Sequence, residues 1–263
     1  MLISFRPSNI HHKLSATFSK GRGLVKGRPG TRRTQFSRDD GGVSARRSRY
    51  STKVSAPPMI TLKRFRRIEA ILRQVGYGPM IEWSTNIQKP PDADAFARET
   101  AFVICGSGFR NSIAAPILER CMIALRAGRS AATEFGHKGK HQAIDFIWAE
   151  RERLFATYLE SEDKLAFLRQ MPWIGPVTCF HLEKNLGGNQ AKPDVHMERL
   201  ARRDRTTTHK LCKRLARQTD LPVATTDSVL WLACSRGLLD SACYEAEGWK
   251  AAYRPKKFLA ESD

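Results

Sequence analysis

No acidic residue stands before Asp39, no apolar run approaches the roughly 20 residues that span a bilayer, and no cysteines are closely clustered. Each absence removes a class of protein. The start of the sequence lacks the apolar core of a secretory signal, so none is expected, and without a long apolar run the chain is not expected to partner a membrane. The six cysteines, Cys105, Cys121, Cys179, Cys212, Cys234 and Cys243, lie mostly inside apolar stretches, as reduced core thiols do. Their closest pair, Cys234 and Cys243, is too widely spaced for a zinc or iron–sulfur site, so neither metal nor any other cofactor is expected. Sustained period-two alternation between hairpin turns is also missing, which leaves an all-α fold of nine or ten helices.

What is abundant is positive charge: the 263 residues carry a net +19. Residues 1–56 alone hold 13 Lys and Arg against two acidic groups, so the remainder is only moderately basic. Rich in Gly, Ser, Thr and Arg and poor in apolar periodicity, residues 1–57 read as a disordered basic segment. An organelle transit peptide, an upstream start-codon artefact and a tail that attracts phosphates all fit this composition. In a bacterium the expected place is the cytoplasm and nucleoid, with organelle targeting left open by that segment.

From residue 58 to about 260 the pattern is helical. Leu62, Phe65, Ile68, Ile71, Leu72 and Val75 recur three and four apart until Gly76. Tyr77–Pro91 reads as turn-rich. A second helix is predicted from Ala93 to Cys105 and a third over Ile113–Leu125. Ile144–Leu159 reads as one longer helix, Ser161 as the start of another, and further helices fall near Thr208–Gln218 and Thr226–Cys234.

Residues 162–186 read as helix, tight turn and helix, with Pro172 and Gly175 shaping the turn and Pro176 suited to the first position of the second helix. Turn amides and a helix N-terminus make an anion site, for which a phosphate is the natural occupant. Residues 191–196, Ala-Lys-Pro-Asp-Val-His, form a short loop with one carboxylate, Asp194. By itself Asp194 reads first as the N-cap of a helix from Val195.

Met171-Pro-Trp-Ile-Gly-Pro-Val-Thr-Cys179, followed by Lys192-Pro-Asp-Val-His196, resembles the helix-hairpin-helix glycosylase superfamily: a Leu-Pro-Gly-Ile-Gly-x-x-Thr-Ala hairpin and then an aspartate loop. The resemblance implies a two-lobed all-α DNA glycosylase over residues 58–260, monomeric, whose partner is double-stranded DNA containing a damaged base. It implies that Asp194 is the catalytic carboxylate, stabilising the positive charge that develops on deoxyribose as a base departs. Pro172, Trp173, Ile174, Gly175, Val177 and Thr178 become DNA-binding residues of the hairpin.

The lysine that bifunctional members carry in the hairpin's second helix is replaced by Val177, which cannot act as a nucleophile. A monofunctional enzyme using water is therefore expected, with Lys184 and Lys192 as the nearby amines for a bifunctional glycosylase/abasic-site lyase, and a catalytically inactive DNA-binding module as the third reading. Trp173 stands where the family has glycine, either crowding the phosphate or laying an aromatic ring against the DNA backbone. Phe109 and Arg110, in Gly106–Asn111, are candidates for the wedge that fills the gap left by a flipped base. They also read as helix-start residues. Arg199, with Arg202, Arg203 and Arg205, is a candidate phosphate contact, and Tyr77, Trp83 and Trp148 are candidate pocket aromatics. His137–His141 has a loop-like composition.

Overall fold

Aspartate or threonine side chains cap six of the helices in this computed structural model, which describes residues 59–261. Thr61 accepts the Arg64 amide and begins α1 (Leu62–Leu72). A kinked π turn over Arg73–Tyr77 leads into α2 (Gly78–Thr85), and Asp92 caps α3 (Ala93–Gly106) by accepting the Ala95 amide at 2.7 Å. There follow α4 (Asn111–Arg126), α5 (Lys138–Ala149), α6 (Arg151–Glu160), α7 (Lys164–Leu168) and α8 (Thr178–Asn185). The chain closes with α9 (Val195–Arg203), α10 (Thr208–Thr219), α11 (Val223–Ser235), α12 (Ser241–Glu247), α13 (Trp249–Ala252) and α14 (Pro255–Ala260). Side-chain caps satisfy amides that the first turn of a helix otherwise leaves unpaired.

The all-α expectation therefore holds for the described residues, which contain no strand; Leu239 and Tyr253 meet in an isolated antiparallel bridge. The expected disordered segment, residues 1–57, lies outside them. No helix among the described residues is long and apolar enough to cross a membrane.

Apolar periodicity divides the buried side chains into two clusters. One gathers Phe65, Ile68 and Leu72 of α1 with Met197 and Leu200 of α9, Leu211 and Leu215 of α10, Val229 and Leu230 of α11, and Tyr244 of α12. The other gathers Phe96 and Ile104 of α3, Leu118 and Met122 of α4, Ile144 and Ile147 of α5, Leu154 of α6, Leu168 of α7, and Cys179 and Leu182 of α8. The described residues begin and end in the first cluster and cross into the second for α3 to α8. Ala191, buried in the first cluster, marks the return.

Several expectations need correction. Tyr77–Pro91 contains α2, because Pro79 sits in the first turn of a helix, where its missing N–H costs nothing, and Ile81 is fully buried. The single helix expected over Ile144–Leu159 is two, broken at Glu150, whose backbone (φ −95°, ψ 10°) leaves the helical region. Ser161 ends α6; the cap of α7 is Asp163, which accepts the Ala166 amide at 3.0 Å. The segment read as a loop at His137–His141 is a helix start, His137 preceding the first turn of α5. Fourteen α-helices stand among the described residues instead of nine or ten, the excess being α2, the split pair and the short α12 to α14.

Candidate active site

The hairpin consists of α7, a turn over residues 169–177, and α8. Pro176 precedes α8 by two positions, Val177 occupying the N-cap site. Met171 and Ile174 are buried and anchor the turn to the second cluster. The Gly175 amide donates to the Thr178 hydroxyl at 2.7 Å, and that hydroxyl donates to the Gly175 carbonyl at 3.3 Å. Gly175 therefore shapes the turn without offering its amide outward, the Cys179 amide is taken by the Gly175 carbonyl at 3.0 Å, and the first turn of α8 carries no side-chain cap.

Trp173 adopts φ +66°, the left-handed region that a side chain rarely occupies. This is the position where the resembled family has glycine. The indole is half-exposed and turns toward α3 and α5: its Nε1–H donates to Ser107 Oγ at 3.0 Å, and its ring meets His137 edge-on at 5.1 Å between centroids. Gly139 makes room for it, since a Cβ there would lie 2.5 Å from the ring. The hairpin turn and the loop after α3 are thus in contact, which places Trp173 near the wedge candidates. Phe109 is exposed, with the Lys140 ammonium 4.4 Å from its ring centre, and Arg110, also exposed, precedes α4 as its N-cap residue. Lys140 itself is buried and donates to the Cys105 carbonyl at 3.2 Å and to that of Ser107.

Asp194 is the N-cap of α9. Its Oδ1 accepts the His196 and Met197 amides at 3.0 and 3.1 Å, while Oδ2 lies 4.0 Å from the Lys192 ammonium. Capping therefore occupies Oδ1 and leaves Oδ2 facing the Lys192 ammonium, and the helix dipole adds to the positive field around the carboxylate. Pro193 cannot donate an amide, and the Asp194 amide bonds back to the Lys192 carbonyl at 2.9 Å, closing a tight turn that presents the carboxylate.

Beneath this turn lies Asp227 of α11, almost wholly buried. Its Oδ2 accepts from Lys184 Nζ at 2.6 Å and its Oδ1 accepts the Lys192 amide at 3.2 Å. Burial pushes the Asp227 carboxyl above the ordinary aspartate value and the Lys184 ammonium opposes it. Burial likewise holds the Lys192 ammonium below the ordinary lysine value; Asp194 works against this, Lys184 adds to it and Asp227 opposes it. Lys184 belongs to the hairpin's second helix, so its ion pair ties the hairpin to α11, and Asp227 in turn holds the loop bearing Asp194 through the Lys192 amide. Val177, seven residues earlier at the N-cap position of that helix, lies about 10 Å from Lys184 along the axis and is exposed.

Asp227 has no signal in the sequence beyond being the one carboxylate of Val223–Ser235, where Thr225, Thr226 and Ser228 flank it. His196 was named as a loop residue; its Nδ1 lies 2.8 Å from Ser241 Oγ, fixing α9 to α12. Of the arginines expected to follow phosphates, Arg199 and Arg202 face Glu245 of α12 at 3.8 and 2.6 Å, and Arg203 donates to the carbonyls of Glu245 and Ala246. Arg205 is exposed. The aromatics are dispersed: Tyr77 packs on the first cluster and Trp148 on the second, while Trp83 is half-buried. A groove of about 610 Å³ runs beside the hairpin turn, lined by Phe146, Phe167, Pro172 and Trp173 among others, and does not include Asp194. No group of three or more metal-ligating side chains occurs among the described residues.

Comparison of the chain with protein-family models, with curated proteins and with solved structures returned no match.

Proposed function

We propose that this chain is a DNA N-glycosylase of base excision repair, with a two-lobed helix-hairpin-helix glycosylase fold, acting on duplex DNA from which a damaged base has been flipped. The observation that carries this reading is the placement of Asp194: a carboxylate with one oxygen held by α9 amides and the other facing the Lys192 ammonium, tied through Asp227 and Lys184 to a hairpin. Two buried clusters, with the hairpin in one and Asp194 starting a helix of the other, support the two-lobed architecture.

In this reading the start of α8 holds a backbone phosphate. Asp194 faces C1′ of the extruded nucleotide, where Oδ2 stabilises the cationic sugar as the glycosidic bond breaks and then orients the water that adds to it. Nothing in this sequence of steps needs a cofactor, and a monomer suffices. The test is base release from a panel of duplex oligonucleotides, each with one lesion, by wild type and Asp194→Asn. Strand breaks seen only after alkali, and absent with the variant, support a monofunctional glycosylase. No release from any substrate with DNA binding intact replaces it with a non-catalytic binding module.

A second reading is favoured by the position of Lys192. Its amine lies beside Asp194 and burial eases its deprotonation, whereas Lys184 is engaged by Asp227. A neutral Lys192 could add to the C1′ aldehyde of an abasic deoxyribose and expel water as an imine. Loss of a C2′ proton would then eject the 3′ phosphate and cut the strand. Borohydride trapping of wild type, lost in Lys192→Gln and kept in Lys184→Gln, supports this reading; no trapped adduct removes it.

A further inference from the structure

The excess of positive over negative charge among the described residues lies mostly on two helices outside the hairpin. Residues 59–261 contain 32 Lys and Arg against 23 Asp and Glu. Within α1 and α10 there are eight basic residues and a single acidic one, Glu69. Everywhere else the count is 24 against 22, and the hairpin, residues 162–186, has three of each. A hairpin without net charge contributes geometry through its amides but little long-range attraction for a polyanion.

The two helices meet along a seam. Arg66 of α1 reaches the Thr219 carbonyl at the end of α10, and Arg214 of α10 donates to the Ile60 carbonyl just before α1. Leu211, Cys212, Leu215 and Ala216 turn inward, so Lys210, Lys213 and Arg217 project from the opposite face of α10. Spaced three and four apart, these cover about 10 Å of helix. With Arg214 and Gln218 they line an open groove of about 420 Å³. Arg214 approaches Asp204 at 3.5 Å, but Lys210, Lys213, Arg217 and Lys63 form no ion pair among the described residues. An ordinary solvated face interleaves both signs; this one does not. Holding like charges together costs stability unless something neutralises them. The first described residues lie at this same seam, where the Ile60 amide donates to Asp204 at 2.9 Å, and the 58 residues that precede them in the sequence carry 13 basic and two acidic groups.

We infer that the α1–α10 face is a second nucleic-acid docking surface, in which Lys210, Lys213 and Arg217 track the phosphates of duplex DNA. The choice of DNA as the polyanion rests on the glycosylase reading; the charge segregation does not. Contacts of this kind are blind to sequence and to damage, so the face would hold undamaged duplex while the hairpin and Asp194 search it.

The test measures binding of the full chain to an undamaged duplex oligonucleotide across a salt series, for wild type, the triple variant K210Q/K213Q/R217Q and the charge-preserving K210R/K213R/R217K. All three side chains are exposed, and equal thermal melting checks that the fold is kept. The slope of log affinity against log salt is expected to fall by about two to three in the glutamine variant, at roughly 0.9 per phosphate contact, and to stay at the wild-type value in the charge-preserving one. An unchanged slope and affinity overturns the inference. So does an unchanged DNA slope together with lost binding to vesicles containing phosphatidylserine, which would assign the face to a membrane. Base release plays no part in this readout: a glycosylase assay that fails while the slope falls removes the proposed activity and leaves the surface.

Discussion

The indole Nε1–H of Trp173 donates to the Ser107 hydroxyl across 3.0 Å, which makes the hairpin turn and the loop after α3 one mechanical unit. The backbone at Trp173 is held in the left-handed region, at a cost of order 1 kcal/mol or more, by this bond and by the ring's seat over Gly139. Gly139→Ala is therefore expected to destabilise the protein by about 1–3 kcal/mol in urea unfolding, as an overpacked site does. In a Trp173→Gly background the same substitution should cost almost nothing. Equal costs in both backgrounds would show that the ring and Gly139 are not coupled.

Asp194 serves two ends at once, and its replacements should separate them. Asparagine keeps an Oδ1 for the His196 and Met197 amides, whereas alanine loses both bonds. Asp194→Ala is expected to lower stability by about 1 kcal/mol and Asp194→Asn by much less, while both abolish base release. Activity surviving in the asparagine variant would separate this residue from the chemistry.

Asp227 is expected to be the costliest single charge to remove near the site. Without it the ammonium of Lys184, about one-tenth exposed, has lost its carboxylate. Breaking such a pair costs roughly 3–5 kcal/mol, whereas replacing both partners with apolar groups is often neutral or stabilising. Urea midpoints should thus fall strongly in Asp227→Asn and recover in Asp227→Leu/Lys184→Met. A double variant as unstable as the single one would place the cost elsewhere than in the stranded cation.

The amine reading of Lys192 carries a definite pH signature. Burial lowers its pKa, so the neutral nucleophile should become available with a midpoint below the ordinary lysine value. The Asp194 carboxylate favours the ammonium, so removing that charge lowers the midpoint further. On duplex DNA with a preformed abasic site, borohydride trapping by Asp194→Asn is expected to match or exceed wild type near neutrality, its pH profile displaced toward acid. Displacement toward alkali would contradict the stated role of Asp194.

The helices legible in the sequence were those whose own residues carry both an apolar stripe and its punctuation. α3 runs from an aspartate cap to Gly106, and α10 buries Leu211 and Leu215 on one side while projecting lysines on the other. α2 was hidden because Gly78 and Pro79 read as a turn, although proline suits a first helical turn. The break at Glu150 involves neither glycine nor proline, so periodicity ran through it. Short helices such as α13 and α14 are held by packing and have little local signal. At the site, the hairpin and Asp194 were legible because their residue types and spacing are local. Asp227 was not, since its partners Lys184 and Lys192 are 43 and 35 positions away, and nothing local distinguishes a paired buried carboxylate from a solvated one.

The connection between α8 and Asp194 leaves no room for a change of length. Gly187, at φ +85°, brings its backbone against Gln88 and Lys89, where a Cβ would sit 3.0 Å from the Lys89 nitrogen, and Gly188 packs on the Glu183 side chain. Asn189 accepts the Ala224 amide at 3.0 Å, Ala191 is buried, and the Lys192 amide is held by Asp227. An inserted residue here has no slack to occupy and would rotate or displace the carboxylate, even though loops on a protein surface usually absorb insertions. Among descendants of this sequence, indels should therefore collect elsewhere, in segments such as 127–137, while the distance in residues from the hairpin to Asp194 is inherited unchanged.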